Sequence, residues 1–143
     1  MKRILGIDPG RTTGYVDIDL HENGEFEVVD TAEIVWEARF QIPDFINPSA
    51  NTFDAPHLPD AIVVESFRLY PHKARSQIGN DFPSSQVIGI IELALYQNNI
   101  IDRIVRQPAS SISRVKIFHD LPASEHIRDA YKHARLYIVT SAN

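Results

Sequence analysis

Cysteine is absent from the 143 residues, which excludes disulfides and thiolate zinc sites and suits a reducing, cytoplasmic setting. Long apolar runs are absent too, none approaching the roughly 18 to 20 residues that cross a bilayer. The opening Met1-Lys2-Arg3-Ile4-Leu5-Gly6 turns from basic to apolar but stops at Asp8-Pro9-Gly10, too soon for the apolar stretch of a signal peptide. Glycine is scarce, at six residues. Together with the length, this argues against a sugar-kinase-like or actin-like ATPase. Such proteins open on a similar strand and Asp but need a second lobe with its own phosphate loop. Internal repeats and low-complexity tracts are also missing, so residues 1–143 are expected to form one domain with a single core.

What is present is an uneven charge. The net value of −5 divides into 4 Lys/Arg against 13 Asp/Glu over residues 1–65 and 10 against 6 over residues 66–143, where four of the six histidines also lie. An acidic half can bind cations, and a basic half can track a phosphate backbone.

Hydrophobic periodicity lays out the elements. Residues 3–8 read as a short buried strand. From Tyr15 to Leu20, Val16, Ile18 and Leu20 alternate with Asp17 and Asp19, the period-two pattern of a half-buried strand. His21-Glu22-Asn23-Gly24 supplies a turn whose Asn-Gly pair tolerates positive φ. Phe26 and Val28 then alternate with Glu25 and Glu27, completing a three-stranded meander. Residues 43–60, with four prolines, read as a long loop or as a short helix in irregular surroundings. The all-apolar Ala61-Ile62-Val63-Val64 suits a central strand buried on both faces. A helix opening at Pro83-Ser84-Ser85 carries Val87, Ile88, Ile91 and Leu95 as its stripe and ends at Asn98-Asn99. Residues 103–107 read as a last strand, Ser110 to Phe118 as a short helix broken at Leu121-Pro122, and Ser124 as the N-cap of a final helix to Val139. The expected fold is α/β: a mixed five-stranded sheet, three antiparallel strands and then parallel ones, flanked by helices.

Three carboxylates fall at element ends: Asp8 after the first strand, Glu65 after the buried strand, and Asp129 in the first turns of the final helix. In an open α/β sheet, ligands collect at the carboxyl ends of strands. If the first and fourth strands are parallel neighbours, Asp8 and Glu65 lie side by side and repel unless a cation sits between them. Hard ions such as magnesium or manganese prefer these oxygen ligands, and two of them about 4 Å apart would activate a water and stabilise the leaving oxygen of a phosphodiester. On the final helix His126, Asp129 and His133 share one face, beside an apolar stripe of Ile127, Tyr131, Ala134 and Ile138. His126 is expected to bind a metal or move a proton, and His133 to be solvated or to face phosphate.

The segment Ile4-Leu5-Gly6-Ile7-Asp8-Pro9-Gly10-Arg11-Thr12-Thr13-Gly14-Tyr15 resembles the opening motif of the RuvC-type Holliday-junction resolvases, which have the RNase H-like fold. Pro59-Asp60-Ala61-Ile62-Val63-Val64-Glu65 is similar to that family's second acidic strand. Ser85-Gln86-Val87-Ile88-Gly89 is similar to its next helix, where a glycine allows close packing, and His126-Ile127-Arg128-Asp129-Ala130 to its last helix. The resemblance implies that Asp8, Glu65 and Asp129 bind two magnesium ions and that His126 fills the fourth catalytic position; an oxygen-rich site of this kind is expected to accept manganese as well. It also implies a homodimer that nicks opposed strands of a four-way junction. The short, divergent form looks like a bacteriophage member. The chain departs from the pattern at Arg68, where the family places a junction-contacting Phe, and after Pro108, where a Pro-x-x-Val-Lys pattern is not kept.

Phe67, Arg68, Tyr70, Lys73 and Arg75 interleave aromatic and basic side chains directly after Glu65, a composition suited to base stacking and phosphate contact. Arg114 with Lys116 forms a second candidate DNA-binding patch, and Lys132 with Arg135 a third. Two other functions use the same residues: a nuclease of this fold cutting flaps, other branched DNA or RNA–DNA hybrids, and a DNA-binding module without catalysis. Intact acidic residues at all three motif positions argue against the last.

Overall fold

The computed structural model describes residues 1–35, 58–66, 83–113, 115 and 124–141. Five strands, β1 (Lys2–Asp8), β2 (Thr12–Leu20), β3 (Phe26–Val35), β4 (Ala61–Ser66) and β5 (Ile104–Pro108), form one sheet in the order β3-β2-β1-β4-β5. β1 pairs antiparallel with β2, as β2 does with β3, while β1–β4 and β4–β5 are parallel. This is the mixed sheet expected from the periodicity. The two long helices are α1 (Pro83–Gln97) and α2 (Glu125–Ser141).

Strand side chains alternate between faces, and the sheet uses both. Leu5, Ile7, Tyr15, Ile62 and Val64 pack with Val87, Ile91, Ala94 and Leu95 of α1. Ile4, Val16, Ile18, Ala61 and Val63 pack with Ile127, Ala130, Tyr131, Ala134 and Ile138 of α2. β4 is therefore buried on both sides, as its apolar run requires. β2 is more deeply buried than its alternation predicts. Asp17 was expected to face water, yet it is only 7% exposed. Arg3 Nε lies 3.1 and 3.0 Å from its two oxygens, Arg3 Nη2 lies 2.9 Å from Oδ2, and the Tyr15 hydroxyl donates to it at 3.3 Å. A bidentate guanidinium supplies the charge and donors that make a buried carboxylate tolerable, and that partner sits on another strand.

The His21–Gly24 turn forms as expected, with Gly24 at φ 89° and Asn23 Oδ1 accepting the Glu25 N–H at 3.0 Å. α1 is followed by a turn at Asn99, which has φ 60°. Ile101–Arg103 is a 3-10 turn, so the last strand starts one residue later than expected, at Ile104. Only Ala109–Ile112 of the expected short helix is seen as a 3-10 turn, and the rest of that segment falls mainly outside the described residues. Most of the expected 43–60 loop also lies outside them.

Candidate active site

Strand parity builds the site. Ile7 pairs with Val64 in the parallel β1–β4 register, so the next residues, Asp8 and Glu65, stand at neighbouring strand ends. Glu65 in turn pairs with Gln107 of β5. All three have the parity of Ile4, Ala61 and Val105, the residues that pack on α2, and so they leave the sheet on the helix side.

Two glycines let α2 descend onto that corner. A Cβ on Gly6 would lie 2.3 Å from the Ala130 carbonyl oxygen, and one on Gly14 would lie 2.1 Å from the His126 carbonyl oxygen. Both are below any real contact distance, and the obstacles are helix backbone. Glycine here serves close approach. The family resemblance puts that role on Gly89, but a Cβ on Gly89 would meet nothing within 4 Å. Ser124 Oγ accepts the Ile127 N–H at 3.4 Å, at the N-cap position expected of it.

The helix brings its polar face to the carboxylates. His126 Nδ1 lies 3.2 Å from Asp8 Oδ2, with Asp8 8% exposed and His126 half-buried. Burial pushes the Asp8 carboxyl up to about 9, reinforced by a hydrogen bond to Glu65 and by the charges of Glu65, Asp129 and Glu125. Glu65 is held below the usual carboxylate range by the His133 imidazole, against the opposing effect of its own burial. The Asp129 carboxyl is raised by burial and by Glu65 and Glu125, with Lys132 opposing. The ionised forms of Asp8 and Glu65 thus oppose each other, and Asp129 adds to the repulsion. Among the described residues no three His, Asp or Glu side chains converge closely enough to hold an ion as they stand. The donor chemistry is nonetheless that of a hard divalent cation: a two-carboxylate oxygen seat with Asp129 and His126 at its rim.

His133 corrects an expectation. It was expected at the surface or toward phosphate but is 0% exposed. Its Nδ1 lies 2.8 Å from Gln107 Oε1 and its Nε2 lies 3.4 Å from Glu65 Oε2. The overlooked residue is Gln107, 8% exposed. A lone amide at the end of a buried strand was the available signal, but its partner lies 26 residues away in sequence. Of the expected DNA-contacting residues, Phe67, Arg68, Tyr70, Lys73, Arg75, Arg114 and Lys116 lie outside the described residues. Lys132 is half-buried and close enough to act on Asp129. The Arg135 guanidinium lies over the Phe26 ring, 5.5 Å from its centroid, and donates to the Tyr131 hydroxyl.

The raised Asp8 carboxyl has a consequence for stability. As pH rises above the ordinary value of 3.8, the unfolded chain loses this proton while the folded chain keeps it up to about 9. The folded state then binds more protons, so stability falls with rising pH. Asp129 acts in the same direction. Glu65 acts oppositely, and only in the acid range, where its contribution is lost as pH falls. Melting of the metal-free protein in chelator is therefore expected to decline from pH 5 to 9, and the decline is expected to be shallower in Asp8→Asn. Parallel curves for the two proteins would show that Asp8 ionises normally.

No protein-family model matches the chain, and no curated protein does. Among solved structures it is similar to Thermus thermophilus RuvC in complex with a Holliday junction substrate, at TM-score 0.68 and 12% identity over 99% of this chain and 95% of that one. It is also similar to a second Thermus thermophilus RuvC structure, at TM-score 0.67 and 13% identity over 97% and 96% of the two chains. At such identities the likeness shows the fold alone, the RNase H-like α/β fold that the RuvC structures share. Among the described residues no helix is long and apolar enough to cross a membrane.

Proposed function

We propose that the protein is a metal-dependent endodeoxyribonuclease that resolves four-way DNA junctions by paired nicks. The observation that carries this reading is the meeting of Asp8 and Glu65 at adjacent strand ends, with the Asp8 carboxyl raised and His126 and Asp129 brought over them by α2. A purely structural site would pair such acids with Arg or Lys, as Asp17 is paired with Arg3. Here the arrangement supports a seat for cations.

In this reading Asp8, Glu65, Asp129 and His126 hold two magnesium ions, with manganese accepted. When bound, these ions would supply the charge that makes a water nucleophilic near neutral pH and stabilises the leaving oxygen. The chain's own part is positional. Asp8 is fixed by the strand and by its hydrogen bond to His126 Nδ1. The His126 side chain, 43% exposed, is placed to accept a proton from the attacking water or give one to the leaving group. Lys132 and the 67–75 and 114–116 segments supply positive charge for phosphates, which positions DNA without reading its sequence. Support for a junction as substrate comes from the solved RuvC complex. The homodimer and the bacteriophage source are carried by the sequence resemblance.

A panel of labelled substrates tests this: a four-way junction, matched duplex, flap and RNA–DNA hybrid, each with magnesium, manganese or chelator. Paired nicks on the junction that disappear in chelator are expected. Metal-dependent cutting of flaps or hybrids in preference to the junction would move the function to another nuclease of this fold. Junction binding with no cutting of any substrate would leave a binding module.

A further inference from the structure

We propose that His133 is a positioning residue: held by Gln107, it directs an Nε2–H at Glu65 Oε2 and so fixes how the Glu65 carboxylate faces Asp8. The consequence for ion binding rests on the metal-dependent reading above; the geometry does not. His133 lies one helical turn beyond Asp129 on α2 and is fully buried. Its two ring nitrogens point at two neighbouring strands. Nδ1 meets Gln107 of β5 at 2.8 Å, and Nε2 meets Glu65 of β4 at 3.4 Å. Because Gln107 and Glu65 are register partners, one ring spans both.

Chemistry selects the direction of the bonds. An ionised carboxylate only accepts, so the nitrogen facing Glu65 must carry a proton. The Gln107 amide adapts by rotation, since its oxygen and nitrogen ends are interchangeable in shape. With its NH₂ toward Nδ1, the neutral ring presents Nε2–H to Glu65. Nε2 is also the one buried side-chain nitrogen or oxygen without a hydrogen-bond partner among the described residues. A buried polar atom left in that state costs stability, and Glu65 Oε2 completes it with a movement of a few tenths of an ångström. The carboxylate oxygen that His133 does not engage is then left for Asp8 and a cation. An imidazole bonded to the back of a ligating carboxylate holds it in one rotamer, an outer-layer role in many metal sites.

Three readouts on the full chain test this. The first is ¹⁵N–¹H NMR of the imidazoles in metal-free protein. A protonated His133 Nε2 whose resonance moves in Glu65→Gln is expected; an unprotonated Nε2, or one indifferent to Glu65→Gln, overturns the proposal. The second is calorimetric titration with Mn²⁺. His133→Leu, close in size but without N–H, is expected to weaken binding roughly 10- to 100-fold. Gln107→Leu, which leaves the ring and Glu65 in place, is expected to weaken it less, and His133→Gln, which keeps a donor, to restore part of the loss. Thermal melts show which variants are folded. If His133→Leu does not fold, Gln107→Leu carries the test, and wild-type affinity in any folded Leu variant overturns the role. If wild-type protein takes up no Mn²⁺, the metal-dependent reading fails, and the NMR response to Glu65→Gln alone decides the positioning.

Discussion

Asp8→Asn is expected to lower metal-dependent cleavage roughly 1,000-fold or more, because it removes charge stabilisation worth several kcal/mol at the reacting centre. Its fold should survive. Asn keeps the shape of Asp and offers an N–H to Glu65 in place of the Asp8 carboxyl proton. It also removes the one group on this corner whose ionisation burial and the neighbouring acids oppose. The metal-free variant is therefore expected to melt at or above wild type near neutral pH, by about 3 °C for each kcal/mol of repulsion relieved in a chain of this length. Magnesium or manganese should raise the wild-type melting temperature by mass action and leave that of the variant nearly unchanged. Activity assays and melts on the same preparations check both statements. Near-wild-type cutting by the folded variant would remove Asp8 from the chemistry. A fall of several degrees in melting temperature would instead show that its ionised form has a structural partner.

Gly14→Ala is expected to damage the protein more than an ordinary small-to-larger change, by roughly 3 kcal/mol, the upper end of the usual overpacking range. The added methyl would lie 2.1 Å from the His126 carbonyl oxygen, 2.2 Å from its carbon and 2.6 Å from the Ile127 nitrogen. No rotamer change relieves a clash with helix backbone, so α2 must lift or β2 must bend. Lifting α2 at that point carries His126 away from Asp8, 3.2 Å below it. The variant is thus expected to lose both stability and whatever ion affinity the site possesses. Urea unfolding measures the first loss, and Mn²⁺ titration of the fraction that folds measures the second. Gly89→Ala is the control, because its Cβ would meet open space and alanine is the better helix former. A loss no greater in Gly14→Ala than in Gly89→Ala would show that α2 does not rest on β2 as described.

The RuvC-like fold follows from parallel placement of β1 and β4 more than from any single residue. That placement is anchored away from the site. The Arg3 N–H donates to Asp60 Oδ2 at 2.8 Å, and the Asp60 N–H donates to the Arg3 carbonyl at 2.8 Å. This pair fixes the start of β4 against β1. A slip of one residue in that register would turn Glu65 to the α1 face, away from Asp8.

By itself the sequence determined the elements and the polarity of their faces. Period-two alternation, an all-apolar run and a helical stripe depend on neighbours close in the chain, and so the five strands, the two long helices and the positions of Asp8, Glu65, His126 and Asp129 were legible. The tertiary structure decided what those faces meet. Asp17 looked solvent-facing until Arg3 of the neighbouring strand met it in the core. His133 looked like a polar residue beside an apolar stripe until Gln107 and Glu65 enclosed it. Gly6 and Gly14 gave no local sign that a helix more than 100 residues later would rest on them. In each case the deciding partner is distant in sequence, and burial, hydrogen bonding and close approach depend on distance in space.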